Sequence, residues 1–285
     1  MSKLKIAIQK SGRLSEKSLE LLKECGINIS SSDRKLKSLA TNFPIEVLFL
    51  RDDDIPQYVE QGVADIGILG ENEVVEKGRN VALTDRLGFA NCRLSLAIPK
   101  EEDYQDVNYF QGKKIATSYP KMLQKYFDEK EIQVEIEEIG GSVEIAPGIG
   151  LSDGIFDIVS SGSTLVMNGL KEVEQVMKSE AVLISNKSLT EEKQQLLDKL
   201  LFRIKAVRNS SENKYILLNA PINKVDEISK ILPGMKSPTV LQLSEEGWCS
   251  IHSVIKEDQF WEVIDQLKEI GAEGILVIPI EKMVS

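Results

Sequence analysis

The most informative stretch for chemistry is Asp157-Ile158-Val159-Ser160-Ser161-Gly162-Ser163-Thr164-Leu165. An apolar strand pattern runs into small hydroxyl residues and a glycine, and a helix is expected to follow. Amides at a helix start lack intrahelical acceptors, and the helix dipole adds partial positive charge there. Gly162 would let the backbone approach a ligand, while Ser160, Ser161, Ser163 and Thr164 add hydroxyl donors. Such a loop suits a phosphate group. A plain Ser/Gly turn with a helix N-cap accounts for the same composition equally well. The chain contains no GxxxxGK[ST], so the loop is not a Walker A motif.

Other segments offer weaker chemistry. Lys10-Ser11-Gly12-Arg13 follows an apolar strand pattern and fits a second anion contact at a strand's carboxyl end, or a solvated loop. In Arg51-Asp52-Asp53-Asp54, three carboxylates could hold Mg²⁺ through water, but acidic residues also stabilise a helix's first turn, and that reading is the stronger. The Thr-Gly turn that should follow such an acidic pair in the common phosphoribosyltransferase fold is missing, which rejects that fold. Glu71 and Glu144 could accept hydrogen bonds from a sugar or base, or serve as surface or capping carboxylates. His252 is the only histidine, which leaves little room for Ser-His-Asp chemistry and none for a His-rich metal site. Cys25, Cys92 and Cys249 form no CxxC pair and read as reduced thiols.

These residues need a scaffold, and 285 residues suffice for two or three compact units. Lys and Arg number 35 and Asp and Glu 45, so the formal charge is −10, which argues against a broad nucleic-acid footprint. Phosphorylated ligands would then need local donors. The N-terminal residues lead straight into a strand without a signal-peptide pattern, and no apolar run reaches membrane-spanning length, so a cytoplasmic protein is expected. Strand patterns at Leu4–Gln9, Glu46–Leu50 and Ala64–Leu69 alternate with helices near Ser15–Cys25, Asp52–Gln61 and Asn72–Lys77. Ser15 is the expected N-cap of the first helix. A second series runs Arg93–Pro99, Lys113–Ser118, Pro120–Lys130 (helix), Gln133–Glu138, Ser142–Gly148 (short helix) and Phe156–Ser160. Alternation of this kind predicts an α/β layer fold with mostly parallel sheets. The segments around Asp65 and Asp157 look alike, each placing Asp before an apolar strand, as two similar lobes facing a cleft would.

A strand at Glu180–Asn186 and a long helix at Thr190–Arg208 come next, then a polar stretch, 209–213, read as a linker. Beyond it the pattern is β-α-β-β-α-β: Tyr215–Ala220, Lys224–Leu232 (helix), Thr239–Leu243, Cys249–Ile255, Glu257–Ile270 (helix) and Gly274–Pro279. That order is the ferredoxin-like split unit.

Taken together, several ordered segments resemble the long form of ATP phosphoribosyltransferase of histidine biosynthesis. They are Ile8-Gln9-Lys10-Ser11-Gly12-Arg13-Leu14, Arg51-Asp52-Asp53-Asp54-Ile55-Pro56, Gly67-Ile68-Leu69-Gly70-Glu71-Asn72 and Cys92-Arg93-Leu94-Ser95-Leu96-Ala97. They continue in Ile115-Ala116-Thr117-Ser118-Tyr119-Pro120, Gly141-Ser142-Val143-Glu144, the Ser/Gly loop, Leu232-Pro233-Gly234 and Ser237-Pro238-Thr239. The resemblance implies a two-lobed catalytic part like a type II periplasmic binding protein, with a C-terminal ferredoxin-like regulatory domain. Lobe I would comprise residues 1–92 with 183–211, lobe II residues 93–182, and the regulatory domain residues 212–285.

The implied reaction joins N1 of ATP's adenine to C1′ of 5-phosphoribosyl pyrophosphate, releasing pyrophosphate, with Mg²⁺ held mainly by substrate phosphates. Asp157 would meet ribose hydroxyls, and Ser160, Ser161, Gly162, Ser163 and Thr164 would hold the 5-phosphate. Lys10, Gly12 and Arg13 would contact ATP and pyrophosphate, Lys10 and Arg13 as catalytic groups, with Glu71 and Glu144 lining the nucleotide side. Histidine, as feedback inhibitor, would lie by Asn219, Ser237, Thr239 and Gly274. Asn219 departs from relatives with an acidic residue or His there, so it brings no charge for the histidine amine. The resemblance also implies a homo-oligomer, dimer to hexamer. Two other readings are a prephenate-dehydratase-like enzyme of the same architecture, whose Thr-Arg-Phe motif is absent here, and a non-enzymatic amino-acid sensor.

Overall fold

The computed structural model describes residues 2–29 and 36–284. Strand β1 (Leu4–Gln9) leads into helix α1 (Arg13–Glu24), then β2 (Lys37–Leu39) and β3 (Ile45–Leu50). A 3-10 turn, Asp52–Asp54, opens α2 (Ile55–Glu60), and β4 (Ile66–Gly70), α3 (Glu71–Lys77) and β5 (Ala82–Arg86) follow. The chain continues with β6 (Cys92–Pro99), β7 (Lys114–Thr117), α4 (Pro120–Asp128), β8 (Glu135–Glu138), β9 (Gly154–Val159), α5 (Ser163–Met167) and β10 (Leu170–Ser179). Strand β11 (Ala181–Ser185) precedes the long α6 (Glu191–Ser211).

These strands form two sheets. The first has the order β2-β3-β1-β4-β11-β5 and the second β10-β6-β9-β7-β8. Strands β1, β3 and β4 are parallel, as are β7, β8 and β9. Strand β11 runs antiparallel between β4 and β5, so the chain returns to the first lobe at Ala181 after completing the second. Ala7, Ile55, Val59, Leu69, Val182 and Ile184 pack together in lobe I. Phe110, Phe127 and Phe156, all fully buried, anchor the core of lobe II. Both lobes lie within one compact unit, Met1–Glu20 with Ile27–Leu196.

A second compact unit comprises Leu21–Gly26 and Leu197–Ser285. Its sheet consists of β12 (Asn213–Pro221), β13 (Thr239–Gln242), β14 (Trp248–Lys256) and β15 (Glu273–Pro279), with α7 (Val225–Ile231) after β12 and α8 (Glu257–Glu269) after β14. The antiparallel order β13-β14-β12-β15 is the ferredoxin-like arrangement. Helices cover the face bearing Ile216, Leu218, Cys249 and Ile251.

The structure corrects several expectations. The polar stretch 209–213 is no linker: α6 runs through Ser211 and β12 begins at Asn213. Ser210 Oγ donates to Val207 O at 2.7 Å and Glu281 O at 2.9 Å, so its polarity is spent inside the unit. Ser15 is buried within α1, which starts two residues earlier, after Gly12 at φ +91°. The Ser142–Gly148 segment is two 3-10 turns, Val143–Ile145 and Pro147–Ile149. The likeness of Asp65 and Asp157 fails in space. Asp65 precedes β4 and is buried, accepting from Lys5 N (2.8 Å) and Lys193 Nζ (2.7 Å), whereas Asp157 lies within β9, near its carboxyl end. Among the described residues no helix is long and apolar enough to cross a membrane.

Candidate active site

Parallel strands deliver their loops at the carboxyl ends, which is where α/β sheets bind ligands. In lobe I, β1 ends at Gln9 and Lys10 N–H is held by Leu50 O at 2.8 Å. Lys10, Gly12 and Arg13 follow, all exposed. In lobe II, β9 ends at Val159, the chain turns through Ser160–Gly162, and α5 begins at Ser163. Gly162 adopts φ +82°, a left-handed conformation that favours glycine. The first helical bond runs from Val166 N–H to Gly162 O at 3.2 Å, so the Thr164 and Leu165 amides lie ahead of it. Ser161 and Ser163 hydroxyls sit 2.9 Å apart. The strand–loop–helix order expected from sequence is present, with the hydroxyls of Ser160, Ser161, Ser163 and Thr164 on exposed residues.

Arg93, which sequence reasoning left without a role, anchors this loop. Its Nη1 donates to Ser160 O at 2.9 Å, and Glu172 holds the guanidinium from Nε (2.6 Å) and Nη2 (2.5 Å). Ser95 Oγ also donates to Glu172, at 2.7 Å, and the contacts with Arg93 and Ser95 hold the Glu172 carboxyl below its usual range. The signal was available: Arg93 lies in one of the matching segments, but its partner Glu172 is on β10, a strand the pattern did not suggest. A cavity of about 400 Å³ is lined by Arg86, Cys92, Arg93, Ser160 and Lys178, among others, and so places three basic side chains beside the loop.

Carboxylates are grouped by the fold rather than by sequence. Burial pushes the Asp157 carboxyl up to about 6 despite the hydrogen bond it accepts from Ile158 N at 2.8 Å, and the negative charge of Glu144 raises it further. Asp157 and Glu144 therefore belong to one neighbourhood. Both oxygens of Glu71 are taken by Arg86, which also pairs with Glu180 at 3.5 Å. Glu73 is pushed up to about 7, first by burial and then by the charge of Asp52, with the Tyr119 hydroxyl and Lys77 opposing. Burial, followed by Glu73 and Asp157, raises the Tyr119 phenol.

In the turn Asp52–Asp54, two of the three carboxylates are engaged within the protein. Asp52 accepts from Gln9 Nε2 at 3.3 Å and from the Asp53 amide at 3.1 Å, and Asp53 pairs with Arg51 (3.3 Å) and Lys77 (3.8 Å). Among the described residues no group of three or more His, Cys, Asp or Glu is arranged to hold a metal ion.

In the second unit, Asn219 and Gly274 are neighbours: a Cβ on Gly274 would lie 3.5 Å from Asn219 Nδ2, and Gly274 has φ +58°. Thr239 lies on the same sheet, opposite His252. Asn219 is two rows away, opposite Ser250. Ser237 lies outside the strands, where a Cβ on Gly234 would meet its carbonyl at 3.4 Å. The four predicted effector residues are thus one close pair and two residues spread toward the β13 edge. His252 is held at both ring nitrogens, by Tyr215 Oη (2.7 Å) and Ser250 Oγ (3.1 Å), as a structural histidine should be.

The fold and the loop define a class: a two-lobed, periplasmic-binding-protein-like enzyme carrying a separate ferredoxin-like domain. Residues 51–206 match the sequence profile of ATP phosphoribosyltransferase and residues 210–282 that of the HisG C-terminal domain. The chain belongs to the ATP phosphoribosyltransferase family and is an enzyme of the pentosyltransferase class. It is 60% identical to the ATP phosphoribosyltransferase of Phocaeicola vulgatus and 58% identical to that of Bacteroides thetaiotaomicron, with 99% of each chain covered. The structure is similar to that of the ATP phosphoribosyl transferase (HisG:HisZ) complex from Thermotoga maritima, at TM-score 0.61 and 32% identity, over 71% of this chain and 98% of that one. The substrate binding protein of an amino acid ABC transporter shares the fold at TM-score 0.51 and 12% identity, over 74% of this chain and 95% of that one. Family membership displaces the dehydratase and sensor readings.

Proposed function

We propose that the chain joins N1 of ATP's adenine to C1′ of 5-phosphoribosyl pyrophosphate, opening histidine biosynthesis in the cytoplasm. The observation that carries the site assignment is the Ser160–Thr164 turn, presented by β9 and braced by Arg93 beside a cavity with three basic side chains. The turn's hydroxyls and leading amides take the 5-phosphate, and Asp157 accepts from ribose hydroxyls. Lys10, Gly12 and Arg13 meet ATP and the departing pyrophosphate from lobe I, with Glu144 on the nucleotide side. Glu71 acts there by holding Arg86. Mg²⁺ arrives on the substrate phosphates.

The adenine nitrogen is a weak nucleophile and pyrophosphate a polyanionic leaving group. Positioning and electrostatic stabilisation of charge supply the catalysis, without a covalent intermediate on the protein. Histidine binds the second unit near Asn219 and Gly274, with Thr239 and Ser237 on its β13 side, and inhibits by coupling to the catalytic lobes in a homo-oligomer. The test is incubation with ATP, Mg²⁺ and 5-phosphoribosyl pyrophosphate. Phosphoribosyl-ATP should form and histidine should suppress it; a folded sample without product overturns the reading.

A further inference from the structure

Two residues of α3 in lobe I reach lobe II, and both meet groups that lobe II leaves unsatisfied. Helix α4 begins at Pro120, which has no N–H, and Tyr119 before it supplies no side-chain cap. The next two amides need acceptors. Glu76 provides both, Oε1 taking Lys121 N–H at 3.1 Å and Oε2 taking Met122 N–H at 3.0 Å. A carboxylate at a helix N-terminus is also favoured by the dipole. Glu76 is only 5% exposed, so this cap is shielded from competing water.

Asn72, one turn earlier, completes the bridge. Its Nδ2 donates to Tyr119 Oη at 3.2 Å, its Oδ1 accepts from Ser179 Oγ at 2.9 Å, and its backbone N–H donates to the same hydroxyl at 3.1 Å. Ser179 ends β10, next to the strand that returns the chain to lobe I. Helix α3 directly follows Gly70 at the carboxyl end of β4, and two residues separate α4 from the end of β7, the strand paired with β9. The bridge therefore joins the ends of β4 and β7, the sheet neighbours of β1 and β9, whose ends carry the proposed substrate contacts.

We infer that Glu76 is a positioning residue of the transfer reaction: its cap on α4 sets the spacing at which lobe I's nucleotide contacts meet lobe II's phosphoribosyl loop. This rests on the reaction proposed above. Glu76 touches neither substrate, so its loss should leave each half-site intact and misalign the two.

The test compares Glu76→Asp, Glu76→Gln and Glu76→Ala in the full chain. Glu76→Asp keeps the carboxylate but shortens its reach by one methylene; Glu76→Gln keeps the reach and one acceptor. With saturating substrates, Glu76→Asp and Glu76→Ala should lose on the order of 10- to 100-fold in kcat, as displacement of about 1 Å can cost. Glu76→Gln, which keeps one of the two acceptors, should fall between wild type and Glu76→Ala. The Kd for ribose 5-phosphate, by calorimetry, should stay within about threefold of wild type throughout, because the phosphate and ribose contacts lie within lobe II. If Glu76→Ala does not fold, the Asp and Gln variants carry the comparison. Wild-type kcat in Glu76→Asp overturns the positioning role, as does a fall in kcat matched by an equal weakening of that Kd. A wild-type chain that makes no product overturns the reaction itself, so the two failures are told apart.

Discussion

Glu73 offers the sharpest test of the electrostatics between the lobes. It is 8% exposed on α3, and its carboxyl is pushed up to about 7 from an ordinary 4.5, chiefly by burial and then by Asp52. The sign follows from proton linkage. Below pH 4.5 both folded and unfolded chains hold the proton and there is no penalty. Between 4.5 and about 7 the unfolded chain releases it while the folded chain retains it, so stability falls as pH rises. At about 1.4 kcal/mol per pH unit the penalty saturates on the order of 3 kcal/mol above pH 7. Glu73→Gln removes the titration while keeping an oxygen to accept from Asn72 Nδ2, now 3.3 Å from Oε1. Asp157 is raised in the same direction, but it is present in both proteins and cancels in the difference. The variant should match wild type near pH 4 and exceed it by up to about 3 kcal/mol at pH 8. Tryptophan fluorescence misses this, since Trp248 and Trp261 both lie in the other compact unit. Hydrogen exchange of α3 amides, taken as variant minus wild type at each pH, reports it locally. A difference that is flat from pH 5 to 8, or wild type the more protected at pH 8, would refute the reasoning.

Three further outcomes are expected. Thr164→Val should weaken 5-phosphoribosyl pyrophosphate binding by about 1–3 kcal/mol in calorimetry, the cost of a lost hydroxyl against phosphate; an unchanged Kd removes Thr164 from the site. Gly67→Ala places a Cβ 2.5 Å from Ile55 Cγ2 and 3.2 Å from Val59 Cγ2, so overpacking should destabilise lobe I by about 1–3 kcal/mol in chemical denaturation. An unchanged midpoint would show that α2 moves aside freely. Asn219→Asp restores a negative charge beside Gly274 and should tighten histidine inhibition, read as a lower inhibition constant; no change would place the histidine amine elsewhere.

What was legible in the sequence were features that depend on near neighbours. The strand-to-loop step at Val159 and the β-α-β-β-α-β order after residue 213 rest on local periodicity and turn chemistry, and both stand in the structure. Strands β5 and β10 were missed because neither alternates cleanly. In β5, Ala-Leu-Thr-Asp-Arg lies on the sheet edge with no residue buried, and β10 carries two register shifts against β6. Without those strands, Arg86 and Glu172 had no location, and neither did the ion pairs that use them.

That gap explains why Glu71 could be singled out yet its partner could not. Glu71 and Arg86 are 15 residues apart, but they meet only because β11, returning after lobe II is complete, inserts between β4 and β5. The same return places Glu180 on Arg86. A chain of net charge −10 that handles polyanions has to keep its few useful cations from drifting to the wrong carboxylates. The fold does this by committing part of each guanidinium. Glu172 fixes Arg93 through two nitrogens while a third braces the Ser160 carbonyl, and Glu71 fixes Arg86 at the wall of the adjoining cavity. Their acidic partners orient the arginines at some cost in charge, which favours ligands with several phosphate oxygens over a single weak anion.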